Sequence, residues 1–167
     1  AETLYQRTIE ARAEHFGEKH PKTIAASLGL AGIYSSQKKY TEAEKIYQDV
    51  QKERESIFGE NHPKTIHVVY KLATLHAKQK RYAEAGSLYK RVLKHREKEF
   101  GNDHKKTITI VNKLAKLYYK QKKYVEAEPF YLRIVETYIR TFGLKHVKTI
   151  SPKYNVVLLL MAQERFV

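Results

Sequence analysis

Apolar side chains recur at steps of three and four residues along this 167-residue chain, the spacing of one buried helical face. Ile24, Leu28, Ala31 and Tyr34 form such a series, and the equivalent positions return every 42 residues. The pattern predicts two helices per period. The first lies at roughly 20–37, 62–79, 104–121 and 146–163, and the second at roughly 41–57, 83–99 and 125–141.

Two short phrases separate the predicted helices and keep the same 42-residue register. Phe-Gly-x-x-His begins at Phe16, Phe58, Phe100 and Phe142, and each copy runs on into Lys-Thr-Ile. Gln-Lys-Lys-Tyr, or a close variant, ends each first helix. Each glycine of the first phrase is predicted to end a second helix in the left-handed conformation. A fixed period of this length is typical of stacked repeat proteins, which present an extended binding surface.

The phrases carry a family resemblance. Leu30-Ala31-x-x-Tyr34 followed by Ala43-x-x-x-Tyr47 is similar to the tetratricopeptide repeat (TPR) signature. Gly59-Glu60-Asn61-His62-Pro63 and Tyr124-Val125-Glu126-Ala127-Glu128-Pro129 resemble the longer TPR of kinesin light chains and nephrocystin-like proteins. The resemblance implies an all-α fold, a right-handed α-solenoid of TPR helix pairs with about eight helices. The repeat tryptophan is replaced at four positions: Ser27, Val69, Val111 and Lys153.

The register divides the chain into one array of three full repeats, 18–59, 60–101 and 102–143, with partial repeats at 1–17 and 144–167. The first residues align with the interior of a second helix, and the last residues reach the point where the next second helix should begin. One interpretation is a piece excised from a longer array. The alternative is that the half-repeats of two molecules dock end to end.

The net charge of +14 is concentrated in one phase of the repeat. Segments 20–41, 62–83, 104–125 and 146–163 hold 3, 5, 7 and 2 lysines or arginines, with no aspartate or glutamate. A surface that is merely soluble usually mixes both signs. The distribution therefore favours an acidic partner for the first helices and their ends.

Several functional classes are disfavoured. The chain has no cysteine, which excludes disulfides and thiolate chemistry and is compatible with the cytoplasm, where we place the protein. No apolar run is long enough to span a membrane. His20, His62, His104 and His146 occur once per repeat, too far apart for one metal ion, and are predicted to be structural. We find no nucleophile–base pair or phosphate loop, so no enzyme activity, metal or cofactor is predicted.

By resemblance to the family, the first helix of each pair lines the concave face of the array, and fixed positions on it point into the groove. The predicted groove residues are His67, Tyr70, Thr74, Lys78, Thr109, Asn112, Lys116, Tyr119, Lys120 and Tyr154. An asparagine can hold a peptide backbone amide, lysines attract carboxylates or phosphates, and tyrosines provide rigid contact area.

A second basic feature lies on the edge formed by the turns within each repeat. We define it as the basic ridge: Lys38, Lys39, Lys80, Arg81, Lys122 and Lys123. It could contact phosphates or an anionic membrane surface, or it could serve only solubility.

The leading hypothesis is a non-catalytic adaptor or scaffold that binds an acidic peptide segment of a partner protein in the basic groove. One alternative is nucleic-acid binding through the same lysines and tyrosines, because a basic groove with aromatic residues can hold a single strand. Another is a structural spacer that binds nothing selectively.

Overall fold

The computed structural model describes residues 2–163. Within this range every regular element is an α-helix, and each helix lies within about two residues of its predicted position. The helices are α1 (Glu2–Phe16), α2 (Pro21–Ser36), α3 (Tyr40–Phe58), α4 (Pro63–Lys78), α5 (Tyr82–Phe100), α6 (Lys105–Lys120), α7 (Tyr124–Phe142) and α8 (Val147–Ala162). The final Gln-x-x-Phe phrase of the sequence runs beyond residue 163 and lies outside the described residues.

The first helix of each pair, here called a first-type helix (α2, α4, α6 and α8), begins at a histidine that acts as its N-cap. The Nδ1 atoms of His20, His62, His104 and His146 accept a hydrogen bond of 3.1–3.3 Å from the backbone N–H two residues later. This bond satisfies one of the N–H groups that the first helical turn leaves without a partner. The structural role predicted for the four histidines is confirmed by these contacts.

The phrase Phe-Gly-x-x-His-x-Lys-Thr, here called the corner motif, folds onto itself at every repeat boundary. In the second copy, the rings of Phe58 and His62 stack at 4.7 Å, and Lys64 Nζ lies 4.6 Å from the centre of the Phe58 ring. Thr65 Oγ1 donates a 2.9 Å hydrogen bond to the carbonyl of Gly59. The cation–π contact offsets the unfavourable position of a lysine at a helix N-terminus.

The two kinds of turn use positive φ angles differently. Gly59 has φ 86° and ψ 164°, so its φ is positive as predicted, but its ψ places it outside the left-handed helical region. This conformation is accessible almost only to glycine. Lys38, Lys80 and Lys122 adopt left-handed φ angles of 63°, 62° and 59° immediately after a first-type helix. Lysine is strained there, which the sequence analysis did not anticipate.

The chain divides into two compact units, Ala1–Leu88 and Tyr89–Val167. In the first unit, α3 packs against both α2 and α4, and α1 packs against α2. The buried contacts centre on Ile24 and Ala31 of α2, Tyr47 of α3, and Leu72 and Leu75 of α4. The alanine at position 31 is fully buried, which lets the paired helices approach closely.

In the second unit, α7 packs against α6 on one side and α8 on the other. Leu114 and Ala115 of α6 are fully buried, Tyr131 and Ile134 of α7 are nearly so, and Leu159 of α8 is fully buried. Complete burial of a leucine side chain contributes about 1.5–3 kcal/mol relative to its exposure. The packing of α6 against α7 determines which of the α6 side chains reach solvent.

Candidate partner-binding surface

In the first unit, the predicted positions lie along the exposed side of α4. The side chains of His67 and Lys78 are exposed, and Tyr70 and Thr74 are half-buried between them. Lys78 Nζ donates a 2.9 Å hydrogen bond to Ser35 Oγ of α2, which directs its ammonium group across the neighbouring helix. Thr74 Oγ1 donates 2.9 Å to the carbonyl of Tyr70.

In the second unit, Thr109, Asn112, Lys116 and Lys120 form a continuous line on α6, here called the α6 stripe. Asn112 is half-buried and the other three side chains are exposed. Thr109 Oγ1 is engaged with the carbonyl of Lys105 at 2.8 Å. The carboxamide of Asn112 and the ammonium groups of Lys116 and Lys120 make no hydrogen bond or ion pair with any described residue. These three polar groups are therefore available to a ligand.

Aromatic residues flank the α6 stripe and continue on α8. Tyr119 packs against Tyr124, with ring centres 5.4 Å apart, which fixes its ring beside Lys120. Tyr154 on α8 is exposed. The α6 stripe thus presents two cations and a carboxamide that have no partner among the described residues, beside the ring of Tyr119.

The members of the basic ridge differ in how far they are neutralised within the protein. Lys39 Nζ lies 2.9 Å from Glu2 Oε2, and Arg81 binds Glu44 and Glu84. In the register of these pairs, the residue that would match Lys123 is Gly86 rather than a glutamate.

Lys122 and Lys123 are exposed and make no side-chain ion pair with a described residue. They border an open cleft of about 390 Å³, which is completed by residues 124–126 and by Gln163. Of the basic ridge, these two lysines are the pair most available to an external anion.

Glu44 contacts three side chains of the first unit through its carboxylate. It accepts hydrogen bonds from Arg81 and Gln79 and lies 3.1 Å from Nε2 of the buried His76. Burial of Glu44 raises the pKa of its carboxyl, but the hydrogen bonds from Arg81 and His76 outweigh burial and leave the pKa below its ordinary value. These contacts fasten α3 to the turn between α4 and α5.

Sequence reasoning missed these acid–base contacts. A signal was present, because Glu2–Lys39 and Glu44–Arg81 share one spacing of 37 residues.

The structure groups no set of side chains suited to a metal ion: residues 2–163 contain no cluster of three or more His, Asp or Glu side chains that could hold one. No helix in the described part of the chain is long and apolar enough to cross a bilayer.

A comparison with protein families supports the TPR fold that the corner motif and the helix pairs suggested. The model of the tetratricopeptide repeat matches residues 1–51 and 66–140. The chain belongs to the tetratricopeptide repeat family. Domains of this TPR family generally mediate protein–protein interaction. No protein of curated function matches the sequence significantly.

Solved structures with similar TPR folds agree. The chain matches a Podosopora anserina protein, described as a kinesin light chain with nearly identical TPR-like repeats, with a TM-score of 0.85 and 18% identity. That alignment covers 98% of this chain and 78% of the other. BtubC (BKLC) from P. vanneervenii matches with a TM-score of 0.81 and 18% identity, over 98% of this chain and 65% of that one. The predicted all-α, kinesin-light-chain-like TPR solenoid is therefore confirmed as a fold class.

Proposed function

We propose that this TPR domain is a non-catalytic adaptor that binds an acidic peptide segment of a partner protein along its first-type helices. The observation that carries the proposal is the α6 stripe, where Asn112, Lys116 and Lys120 reach the surface with no partner among the described residues. Unpaired cations beside a free carboxamide are suited to an acidic backbone segment.

The spacing of the stripe matches the proposed ligand. Asn112, Lys116 and Lys120 stand one helical turn apart, about 6 Å, so these three members of the stripe extend over about 12 Å of helix. An extended peptide advances about 3.3 Å per residue, so acidic side chains on alternate residues would meet successive groups of the stripe. Asn112 would hold a backbone amide, while the ring of Tyr119 would contact an aromatic or aliphatic anchor residue of the peptide.

His67, Tyr70, Thr74 and Lys78 offer a comparable set of groups on α4 in the first unit. Lys122 and Lys123 would add positive charge near the end of α6. In this proposal the protein acts in the cytoplasm, where its surface would recruit a cargo or a complex.

The test is fluorescence anisotropy with an acidic peptide that carries one tryptophan, compared with a single-stranded oligonucleotide of equal charge, at low and physiological salt. We expect the peptide to keep much of its affinity at physiological salt, because its anchor residue is apolar. Lys116→Glu/Lys120→Glu should weaken peptide binding at least about tenfold, since two favourable charges become repulsive.

Lys94→Glu/Lys98→Glu is the matched control, because both lysines are exposed on α5 at the same spacing of four residues. It changes the net charge equally and should leave the affinity near that of the wild type. Oligonucleotide binding that exceeds peptide binding at physiological salt would replace this proposal with nucleic-acid recognition. Equal loss in both double variants would show that only net charge attracts the peptide, without a site on α6.

A further inference from the structure

The fourth copy of the corner motif, residues 142–149 and here called the fourth corner, differs from the other three at the variable positions. The motif has three of these, two between its glycine and its histidine and one between its histidine and its lysine. In each of the first three copies one of them is acidic: Glu18, Glu60 or Asp103. In the fourth corner they are Leu144, Lys145 and Val147, so two are apolar and none is acidic.

Both apolar side chains of the fourth corner lie at the surface. Leu144 is 59% exposed and Val147 is 71% exposed. Their exposure follows from their place in the motif, because the matching residues of the other copies, 18, 60 and 102 and 21, 63 and 105, are exposed as well. Those positions hold Glu, Asn, Pro or Lys. Leucine and valine therefore replace more polar or less bulky apolar residues at sites that face solvent in every repeat.

Contacts within the second unit fasten the backbone of the fourth corner. Thr149 Oγ1 donates a 2.9 Å hydrogen bond to the carbonyl of Gly143, and Lys153 Nζ donates one of 2.8 Å to the carbonyl of Leu144. A loop that is already ordered loses little conformational entropy when its exposed side chains contact another surface.

Positive charge flanks the two apolar side chains. Lys145 and Lys148 are exposed, and neither makes a side-chain ion pair with a described residue. Lys148 Nζ lies instead 4.6 Å from the centre of the Phe142 ring. The nearby Arg140 is already paired with Asp103, at 2.7 Å. The fourth corner thus combines an apolar tip with two cations that no described carboxylate neutralises.

We propose that the fourth corner docks on an anionic membrane surface. Leu144 and Val147 would enter the boundary between headgroups and acyl chains, while Lys145 and Lys148 would contact the anionic headgroups. The size of the patch favours a membrane over a protein partner. A stable protein–protein interface buries about 800 Å² on each side, whereas shallow attachment to a bilayer combines a few apolar side chains with the attraction between cations and anionic lipids.

This docking is independent of the proposed peptide site. Arg140, just before the fourth corner, contacts Asp103, which precedes the start of α6, whereas Lys116 and Lys120 lie in the last turns of α6. The two surfaces are therefore at opposite ends of that helix, and a change in the fourth corner should leave the affinity for the acidic peptide unaltered.

Vesicle co-sedimentation of the 167-residue chain tests the proposal. Binding is expected to phosphatidylcholine vesicles that contain about 30% phosphatidylserine, and much less to phosphatidylcholine alone. The triple variant Leu144→Glu/Lys145→Asn/Val147→Pro gives the fourth corner the variable residues of the second copy, which fold into the same motif. It should lower the partition coefficient at least about tenfold, since one lysine contributes about fivefold and the apolar contacts are lost as well.

Lys94→Gln/Lys98→Gln is the matched control, because it lowers the net charge by two, as the triple variant does, at exposed positions of α5. A single tryptophan then reports insertion, since the chain contains none. Leu144→Trp should show a blue-shifted emission with anionic vesicles. Val125→Trp, at an exposed site near the other end of α7, should keep its emission unchanged.

Three outcomes would overturn the proposal. Absence of binding to the anionic vesicles would leave the fourth corner to a protein partner. Equal losses in the triple variant and the control would show that net charge alone attracts the lipid. Vesicle binding without an emission change in Leu144→Trp would place the contact on another basic surface, such as the basic ridge. Helix content measured by circular dichroism would verify that each variant is folded.

Discussion

Arg81 Nη1 donates hydrogen bonds of 2.8 Å to both carboxylate oxygens of Glu44, a residue 37 positions earlier. The same carboxylate lies 3.1 Å from Nε2 of His76, which is buried and whose Nδ1 makes no hydrogen bond with residues 2–163. The Glu44 carboxylate therefore gives the buried His76 ring a hydrogen-bond partner, and it also fixes the turn that carries Arg81.

Replacement of Glu44 by alanine should destabilise the first unit by about 1–3 kcal/mol, because the buried His76 ring would lose the hydrogen-bond partner that it has among the described residues. Chemical denaturation monitored by circular dichroism would measure the change. Glu84→Ala is the control, since it also removes an acidic partner of Arg81 but from an exposed position, and it should change stability little.

The lowered pKa of Glu44 also sets the sign of a pH effect. A carboxylate whose pKa is lower in the folded state adds stability above its unfolded value of about 4.5, and this stability is lost as the pH falls through the folded value. The stability difference between wild type and Glu44→Gln should therefore be constant near neutral pH and shrink in acid. A constant difference down to about pH 3 would contradict this linkage.

His62 caps α4 and stacks on Phe58. His62→Ala should lower stability by about 0.5–2 kcal/mol for the cap, with a further loss for the stacked ring. His62→Asn should restore the part due to the cap, because an asparagine side chain accepts the same backbone N–H. Equal thermal melting of the two variants would show that stacking, rather than capping, explains why histidine stands there.

Two glycines of α2 should respond in opposite directions to the same substitution. A Cβ at Gly32 meets nothing within 4 Å, so Gly32→Ala should stabilise the helix by about 0.5–1 kcal/mol. A Cβ at Gly29 would clash with Cε1 of the Tyr5 ring, so Gly29→Ala requires α1 or the Tyr5 ring to move. The melting temperatures of the two variants measure this difference. A similar increase in melting temperature for both would mean that the Tyr5 ring moves aside without cost.

Lys122 occupies a left-handed backbone position, with φ 59°. Lys122→Gly should raise stability by up to about 1 kcal/mol, because it relieves this strain. Lys123→Gly is the matched control: its φ is −87°, so glycine only adds freedom to the unfolded chain and should lower stability by about 0.5–1 kcal/mol. If Lys122 contacts the acidic peptide, the stabilised variant should also bind that peptide less tightly.

Much of the fold could be predicted from sequence because its determinants are local. The glycine of each corner motif, the histidine two residues before its lysine, and the three- and four-residue apolar spacing all act within about one or two turns of helix. These features recur every 42 residues without interruption, so the helix order and positions followed directly. The left-handed lysines escaped prediction because lysine carries no preference for that conformation.

The candidate surface was predicted less completely, for a physical reason. Sequence marked Lys39, Arg81, Lys116 and Lys120 alike as basic positions of the repeat. Only the tertiary structure showed which of these charges are paired. Lys39 and Arg81 each lie against a glutamate 37 positions earlier in the chain, while Lys116 and Lys120 have no such neighbour among the described residues. The sequence by itself determined where the helices are, because caps and periodicity act locally. Which charges stay free was decided by the packing of distant helices, since charge pairing depends on distances in space rather than along the chain.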